Sequence, residues 1–165
     1  MNRKVELSEE NYDLLDEVIH QLCEQGRLLE EQNAMQHGST SVYEHSVNVA
    51  YKSLLLVENY RLPVDKQSLV RGALLHDYFL YDWHEKDGGH RLHGFFHAER
   101  ALHNARRDFN LNFIERDIIR KHMFPLNITP PKFRESWIVT WADKLCAAEE
   151  TTRALRLAFT KTARG

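Results

Sequence analysis

His76 and Asp77 stand side by side at the end of the apolar run Leu69-Val70-Arg71-Gly72-Ala73-Leu74-Leu75. A neutral imidazole offers a nitrogen donor, and a carboxylate has two oxygens with which to bridge two cations. His45 lies one expected helix upstream, His93 and His122 lie downstream, and Asp143 sits within Trp141-Ala142-Asp143-Lys144-Leu145. His, His-Asp, His, His, Asp is an order of donors that could hold two metal ions. Mixed nitrogen and oxygen ligation suits iron, manganese, cobalt, nickel or zinc, whereas oxygen alone would favour magnesium or calcium. Burying His45, His76, Asp77 and Asp143 together from three helices would be costly unless a cation offset the charge.

The elements that must bring these groups together are helical, and no segment shows the two-residue alternation of a half-buried strand. Ser8 is placed to cap a first helix carrying Leu14, Leu15, Val18, Ile19 and Leu22, ending near Gly26. A loop is expected from Gln32 to Thr40. Ser41-x-x-Glu44 has the form of a capping box, opening a second helix whose stripe Val42, His45, Val49, Lys52, Leu56 turns His45 inward. Pro63 and Asp65 open a third helix that carries Leu69, Ala73 and His76 along one side. Tyr78 to Gly94 reads as a loop over a ligand site, and a fourth helix is expected from Phe95 to Phe109, packing through Ala98, Ala101, Leu102 and Ala105. Asn112-x-x-Glu115 opens a fifth helix that ends at His122 and Met123, before Pro125. The last helix is expected from Phe133 to Ala158, with Trp137, Thr140, Trp141, Lys144, Leu145 and Ala148 as its packing stripe.

Size and composition narrow the class. A chain of 165 residues with 42% hydrophobic and 28% charged side chains reads as one all-α globular domain spanning 1–165. The formal net charge of −2, from 22 basic and 24 acidic residues, makes no global field for a nucleic-acid backbone. Neither nucleic acid nor membrane is expected as a partner. Met1 to Glu6 lacks the apolar segment of a signal peptide, and the expected location is cytoplasmic. Cys23 and Cys146 are too few for a disulfide framework and read as small hydrophobes of a reducing compartment. Of the ten histidines, six fall between His76 and His103, an excess that a binding site would explain. Leu28, Leu29, Leu155, Leu157 and Phe159 read equally as core or as dimer contacts, which leaves the oligomeric state open.

Between about Ser39 and Glu150 the chain resembles the HD-domain superfamily of metal-dependent phosphohydrolases. The resemblance is carried by Tyr43-Glu44-His45-Ser46-x-x-Val49-Ala50, Ala73-Leu74-Leu75-His76-Asp77 and Trp141-Ala142-Asp143-Lys144-Leu145. It implies a bundle of about six helices and a metal site built from His45, His76, Asp77 and Asp143. His93-Gly94-Phe95-Phe96-His97-Ala98 and Ile118-Ile119-Arg120-Lys121-His122 are similar to the motifs of two-metal members, in which His93 and His122 would hold the second ion and Asp77 would bridge. His76 and Asp77 then form the expected catalytic pair, and two divalent transition metals are the implied cofactors. His97 is the rival to His93, since residues four apart on a helix share a face.

Many relatives place a Gly-Lys or similar pair just after His-Asp, whereas this chain has Tyr78-Phe79-Leu80. Lys121, Lys144, Arg91 and Arg100 are the basic candidates for a substrate phosphate; His37 and His97 are further substrate candidates. Glu44 reads first as the third residue of its capping box and second as a site group. Trp83, Phe95 and Phe96 could stack on a base. The leading expectation is hydrolysis of a phosphoester or phosphoanhydride of a small molecule, a nucleotide being the favoured substrate. Leu74 to Tyr78 is also similar to bacterial diadenosine tetraphosphate hydrolases, while the Gly-Tyr-Pro signature of cyclic dinucleotide phosphodiesterases is missing after His122. The alternatives are a di-iron oxygenase of the same superfamily acting on a small polyol or phosphonate, and a non-catalytic metal or nucleotide sensor.

Overall fold

A computed structural model describes residues 6–33, 35–37, 40–78 and 90–162, with side chains described over 6–32, 40–78 and 96–156. Helix α1 (Glu9–Gln25) starts where the Ser8 hydroxyl accepts from the Asn11 amide, with Glu9 and Glu10 favourably placed at the positive end of the helix dipole. A short 3-10 helix (Leu28–Asn33) follows. The expected loop then contains a small antiparallel pairing of β1 (Met35–His37) with β2 (Thr40–Ser41), too short to be visible as alternation.

The chain continues as α2 (Val42–Tyr60), α3 (Lys66–Leu75), α4 (His90–Asp108), α5 (Phe113–Lys121) and α6 (Arg134–Thr162), so the fold is all-α with six α-helices among the described residues. Both expected capping boxes form: Ser41 and Glu44 exchange hydrogen bonds at the start of α2, and Asn112 and Glu115 do so at the start of α5. Glu44 is thereby engaged in the structural role. Asp65 caps α3 through the Ser68 amide.

Helix α3 is the centre of the bundle. Ser68, Leu69, Val70, Gly72, Ala73, Leu74 and Leu75 are all buried, and α1, α2, α5 and α6 pack around it. From Ser68 to Leu75 only Arg71 is not fully buried, and it pairs with Glu115 of α5; this largely interior helix ends at His76 and Asp77. Gly72 allows a close approach in the core: a Cβ built on it would lie 2.4 Å from Ile118 Cδ1 of α5. Glycine is unfavourable in a helix interior, yet here its missing side chain lets α5 sit directly against α3. On these two helices the rings of His76 and His122 stand 4.9 Å apart, centre to centre.

Three sequence expectations need correction. Helix α4 begins at His90 rather than Phe95, although its packing stripe of Ala98, Ala101, Leu102 and Ala105 is buried as expected. The fully buried face of α2 runs through Ser53 and Val57; of the expected positions, Leu56 packs half-buried against the core, and Lys52 pairs with Glu149. Helix α6 turns Trp137, Trp141, Leu145 and Ala148 outward and packs through Ile138, Val139, Thr140, Ala142 and Cys146. The residues it buries are mostly smaller than the tryptophans they displace, so α6 can approach α2 and α5 closely enough for Asp143 to enter the interior. No helix among the described residues is long and apolar enough to cross a membrane.

Candidate metal centre

The ends and inner turns of four helices converge beyond the C-terminus of α3. The capping box of α2 sets the first turn that holds His45; α3 delivers His76 and Asp77; His122 ends α5; and Asp143 projects from α6. His45, His76, Asp77 and His122 are all but inaccessible to water. His45 Nε2 lies 3.0 Å from Asp143 Oδ1, and His76 Nε2 lies 3.6 Å from the same oxygen. On the other side, His122 Nε2 is 3.2 Å from Asp77 Oδ1. Helix α4 contributes His97, whose Nε2 is 2.7 Å from Asp77 Oδ1.

Backbone carbonyls fix which nitrogens are available. His76 Nδ1 is 2.7 Å from the Ala73 carbonyl oxygen, and His122 Nδ1 is 2.8 Å from that of Ile119. A carbonyl can only accept, so each Nδ1 carries the hydrogen, and the neutral ring presents its lone pair at Nε2. Those two Nε2 atoms are buried and make no hydrogen bond among the described residues. An orphaned buried lone pair is costly unless something electron-deficient meets it, and a divalent cation would do so. Donor atoms of His45, His76 and Asp143 lie within 4.8 Å of one another, as do those of His76, Asp77 and His122, so both groups could hold a metal ion.

The charge balance agrees with this. Burial works against protonation of His45, but the hydrogen bonds its ring donates to Asp143 and Glu150 outweigh it and push its pKa up to about 9. His76 is likewise held up by Asp77 and Asp143 against the cost of burial. Asp77 and Asp143 are drawn well below the ordinary carboxylate range by the surrounding imidazoles, again against burial, whereas burial depresses His122. In the absence of a cation, a proton on His45 and a second proton on His76, taken up at the same Nε2 that the neutral ring offers as a lone pair, offset the two carboxylates; divalent cations could take that place.

Of the residues expected from sequence, His45, His76, Asp77, His122 and Asp143 come together, and His97 joins them. Lys144 donates from Nζ to the His122 carbonyl over 3.3 Å, at the edge of the cluster, and burial lowers its pKa. Lys121 does not join: it pairs with Asp117 at 2.8 Å, because one residue's rotation from His122 turns it to the outer face of α5. Arg100, His103 and Phe96 are exposed. The side chains of His37, Arg91, His93, Trp83 and Phe95 lie outside the described residues. Sequence reasoning passed over Glu150, whose Oε2 is 3.0 Å from His45 Nδ1. Its signal was available: Glu150 follows Asp143 by seven residues, two helical turns along one face.

Comparison with curated proteins and with solved structures returns no match. The family model for the HD domain matches residues 42–148, from the first turn of α2 through the turn of α6 that bears Asp143. Members of that family are largely metal-dependent phosphohydrolases, and they bind divalent metals. With the match covering well over half of the sequence, and the histidines and aspartates of the cluster inside it, the chain belongs to the HD domain family.

Proposed function

We infer that this protein is a metal-dependent phosphohydrolase with a two-ion centre, cleaving a phosphoester or phosphoanhydride of a small molecule, with a nucleotide as the favoured substrate. The observation that carries the reading is the orientation of one carboxylate. Asp77 directs Oδ2 toward His76 Nε2 at 3.4 Å and Oδ1 toward His122 Nε2 at 3.2 Å. A carboxylate whose two oxygens face different donor groups is suited to bridge two cations. One ion would be held by His45, His76, Asp143 and Asp77; the other by Asp77, His122 and one or both of His93 and His97, which stand one turn apart in α4.

Bound together, two such cations would activate water as a nucleophile near neutral pH and offset charge in an in-line displacement at phosphorus. The protein's own groups prepare for this. Ala73 and Ile119 lock the tautomers of His76 and His122, and Glu150 holds the ring of His45 through Nδ1. Lys144 ties the end of α5 to α6 beside Asp143 and is the described cation we assign to a substrate phosphate. Oxygen donors alone would be supplied by a magnesium or calcium site, so the three or more imidazoles favour manganese, iron, cobalt, nickel or zinc.

The test is elemental analysis of the purified chain, followed by turnover assays of nucleotides and simple phosphate esters with each metal. Hydrolysis under anaerobic conditions with manganese or cobalt is expected. Turnover that appears only with iron and dioxygen would overturn the hydrolase reading, and an absence of bound or binding metal would overturn the centre itself.

A further inference from the structure

On the outer face of α5, a cleft of about 780 Å³ opens between that helix, the C-terminal half of α4 and the segment leading into α6. None of the clustered histidines or aspartates lines it. Its charge is one-sided: Arg106, Arg116 and Lys132 border it together with Arg120 and Lys121, against the single carboxylate of Asp117. Asp117 is already saturated. It accepts from the Ser136 hydroxyl and the amides of Lys132 and Phe133, and it pairs with Lys121. Arg120 is paired with Glu99. That leaves Arg106, Arg116 and Lys132 without a carboxylate among the described residues, in a chain whose net charge is −2. Three unneutralised cations around one cleft are therefore a local concentration and not a reflection of overall charge.

Two further observations say what kind of anion would fit. Phe113 stands at the mouth of the cleft with 78% of its surface exposed, at the start of α5 where nothing in the described core covers it. The Arg116 guanidinium lies 5.7 Å from the centre of that ring, and its Nε is shut off from water with no acceptor. A buried guanidinium N–H without a partner costs free energy that an incoming acceptor would recover. An exposed aromatic ring backed by a guanidinium is a stacking platform for a planar heterocycle. The volume falls in the range of roughly 300–1,000 Å³ usual for small-ligand pockets.

We propose that this cleft is a second anion site that takes a nucleoside polyphosphate, the base stacking on Phe113 and the phosphates meeting Arg106, Arg116 and Lys132. The site is independent of the metal centre and of the hydrolase reading. Arg120 and Lys121, which border it, directly precede His122 at the end of α5.

Calorimetry on the full metal-loaded chain tests this with two probes, a non-hydrolysable β,γ-imido analogue of ATP and inorganic tripolyphosphate. The same titrations are made with Asp77→Ala, which lacks the bridging carboxylate, and with Phe113→Ala and Arg106→Gln/Arg116→Gln. The analogue is expected to bind Asp77→Ala with one site per chain, and the arginine double variant is expected to weaken it at least tenfold. Loss of stacking in Phe113→Ala should weaken the analogue by about tenfold while leaving tripolyphosphate unchanged. Absence of saturable binding to Asp77→Ala at millimolar analogue would overturn the proposal, as would unchanged affinity in the arginine variant. Equal behaviour of both probes in Phe113→Ala would overturn the assignment of a nucleoside. Because Phe113 is a surface residue, that arm remains decisive even if the arginine variant fails to fold. Failure of the hydrolase reading would show as absent turnover with analogue binding intact, a separate outcome.

Discussion

The two halves of the histidine and aspartate cluster are built on different principles. Around His45, the ring is gripped on both nitrogens by carboxylates, Asp143 at Nε2 and Glu150 at Nδ1, and the supporting helices α2, α3 and α6 pack directly on one another. Around His122, the orienting partner is a backbone carbonyl, the ring is held neutral by burial, and the neighbouring His97 comes from α4, which packs chiefly on α5. A carboxylate behind an imidazole makes it a more basic ligand than a carbonyl does. The first half should therefore bind its cation more tightly, and the second should be the half that is loaded last and lost first.

The largest effect is expected where the halves meet. Asp77→Ala removes both bridging oxygens, and both ions should be lost, with turnover reduced by at least about a thousandfold on the scale of two-metal catalysis. His122→Ala should cost one ion only. If elemental analysis finds equal loss in the two variants, or none, Asp77 does not bridge. Comparing His93→Ala with His97→Ala on the same measurement decides which position of α4 serves the second ion: the ligand loses metal, and the other retains it.

Glu150→Gln sharpens the contrast from the other side. It keeps a hydrogen-bonding group behind His45 but removes the charge, and affinity for the first ion should drop by roughly 10–100-fold. Metal at the His122 side should be little changed. An equal loss at both positions would show that the halves do not act separately.

Gly72→Ala acts on the geometry joining them. The added methyl meets Ile118 and must push α5 from α3, at a cost on the order of 1–3 kcal/mol in stability. Because the displaced helix bears His122, the second ion should be weakened more than the first. Denaturant titration with parallel metal analysis checks both parts.

The smallest effect is one of pH. His45 has a folded-state pKa raised from 6.5 to about 9, so its contribution to the stability of the cation-free protein is complete below pH 6.5 and is lost as pH rises toward 9. Asp143, whose pKa is depressed, contributes in the opposite sense: its stabilisation is present above pH 3.8 and fades as pH falls. Loading with metal displaces the proton from His45, and the alkaline decline between pH 6.5 and 9 should then disappear from urea midpoints. A decline that persists in the loaded protein would mean that His45 is not a ligand.

Helix boundaries proved readable because caps act over three or four residues. Ser8, Ser41 with Glu44, Asp65 and Asn112 with Glu115 all form the expected hydrogen bonds. The face that a helix buries was harder to read. In α6, Trp137, Trp141 and Leu145 recur at four-residue intervals and form a stripe as regular as the one through Ile138, Ala142 and Cys146. Periodicity shows that an apolar stripe exists, while neighbouring helices decide which stripe is covered. Lys121 and Glu150 show the same limit in the site: one was a candidate for substrate and is held by Asp117, and the other was passed over and holds His45.

What the amino-acid order determined by itself is the donor set and the helices that carry it: His45 one turn inside a capped α2, His76 and Asp77 after the apolar second half of α3, His122 at the end of α5, Asp143 in α6. These follow from local hydrogen bonding and from residue types that chemistry restricts. The tertiary structure alone decided that the two oxygens of Asp77 face different histidines, that Glu150 backs His45 across 105 positions of sequence, and that Gly72 lets α5 meet α3. Such relations depend on how closely whole helices pack, which is set by side-chain volumes summed over the core and not by any short stretch of chain.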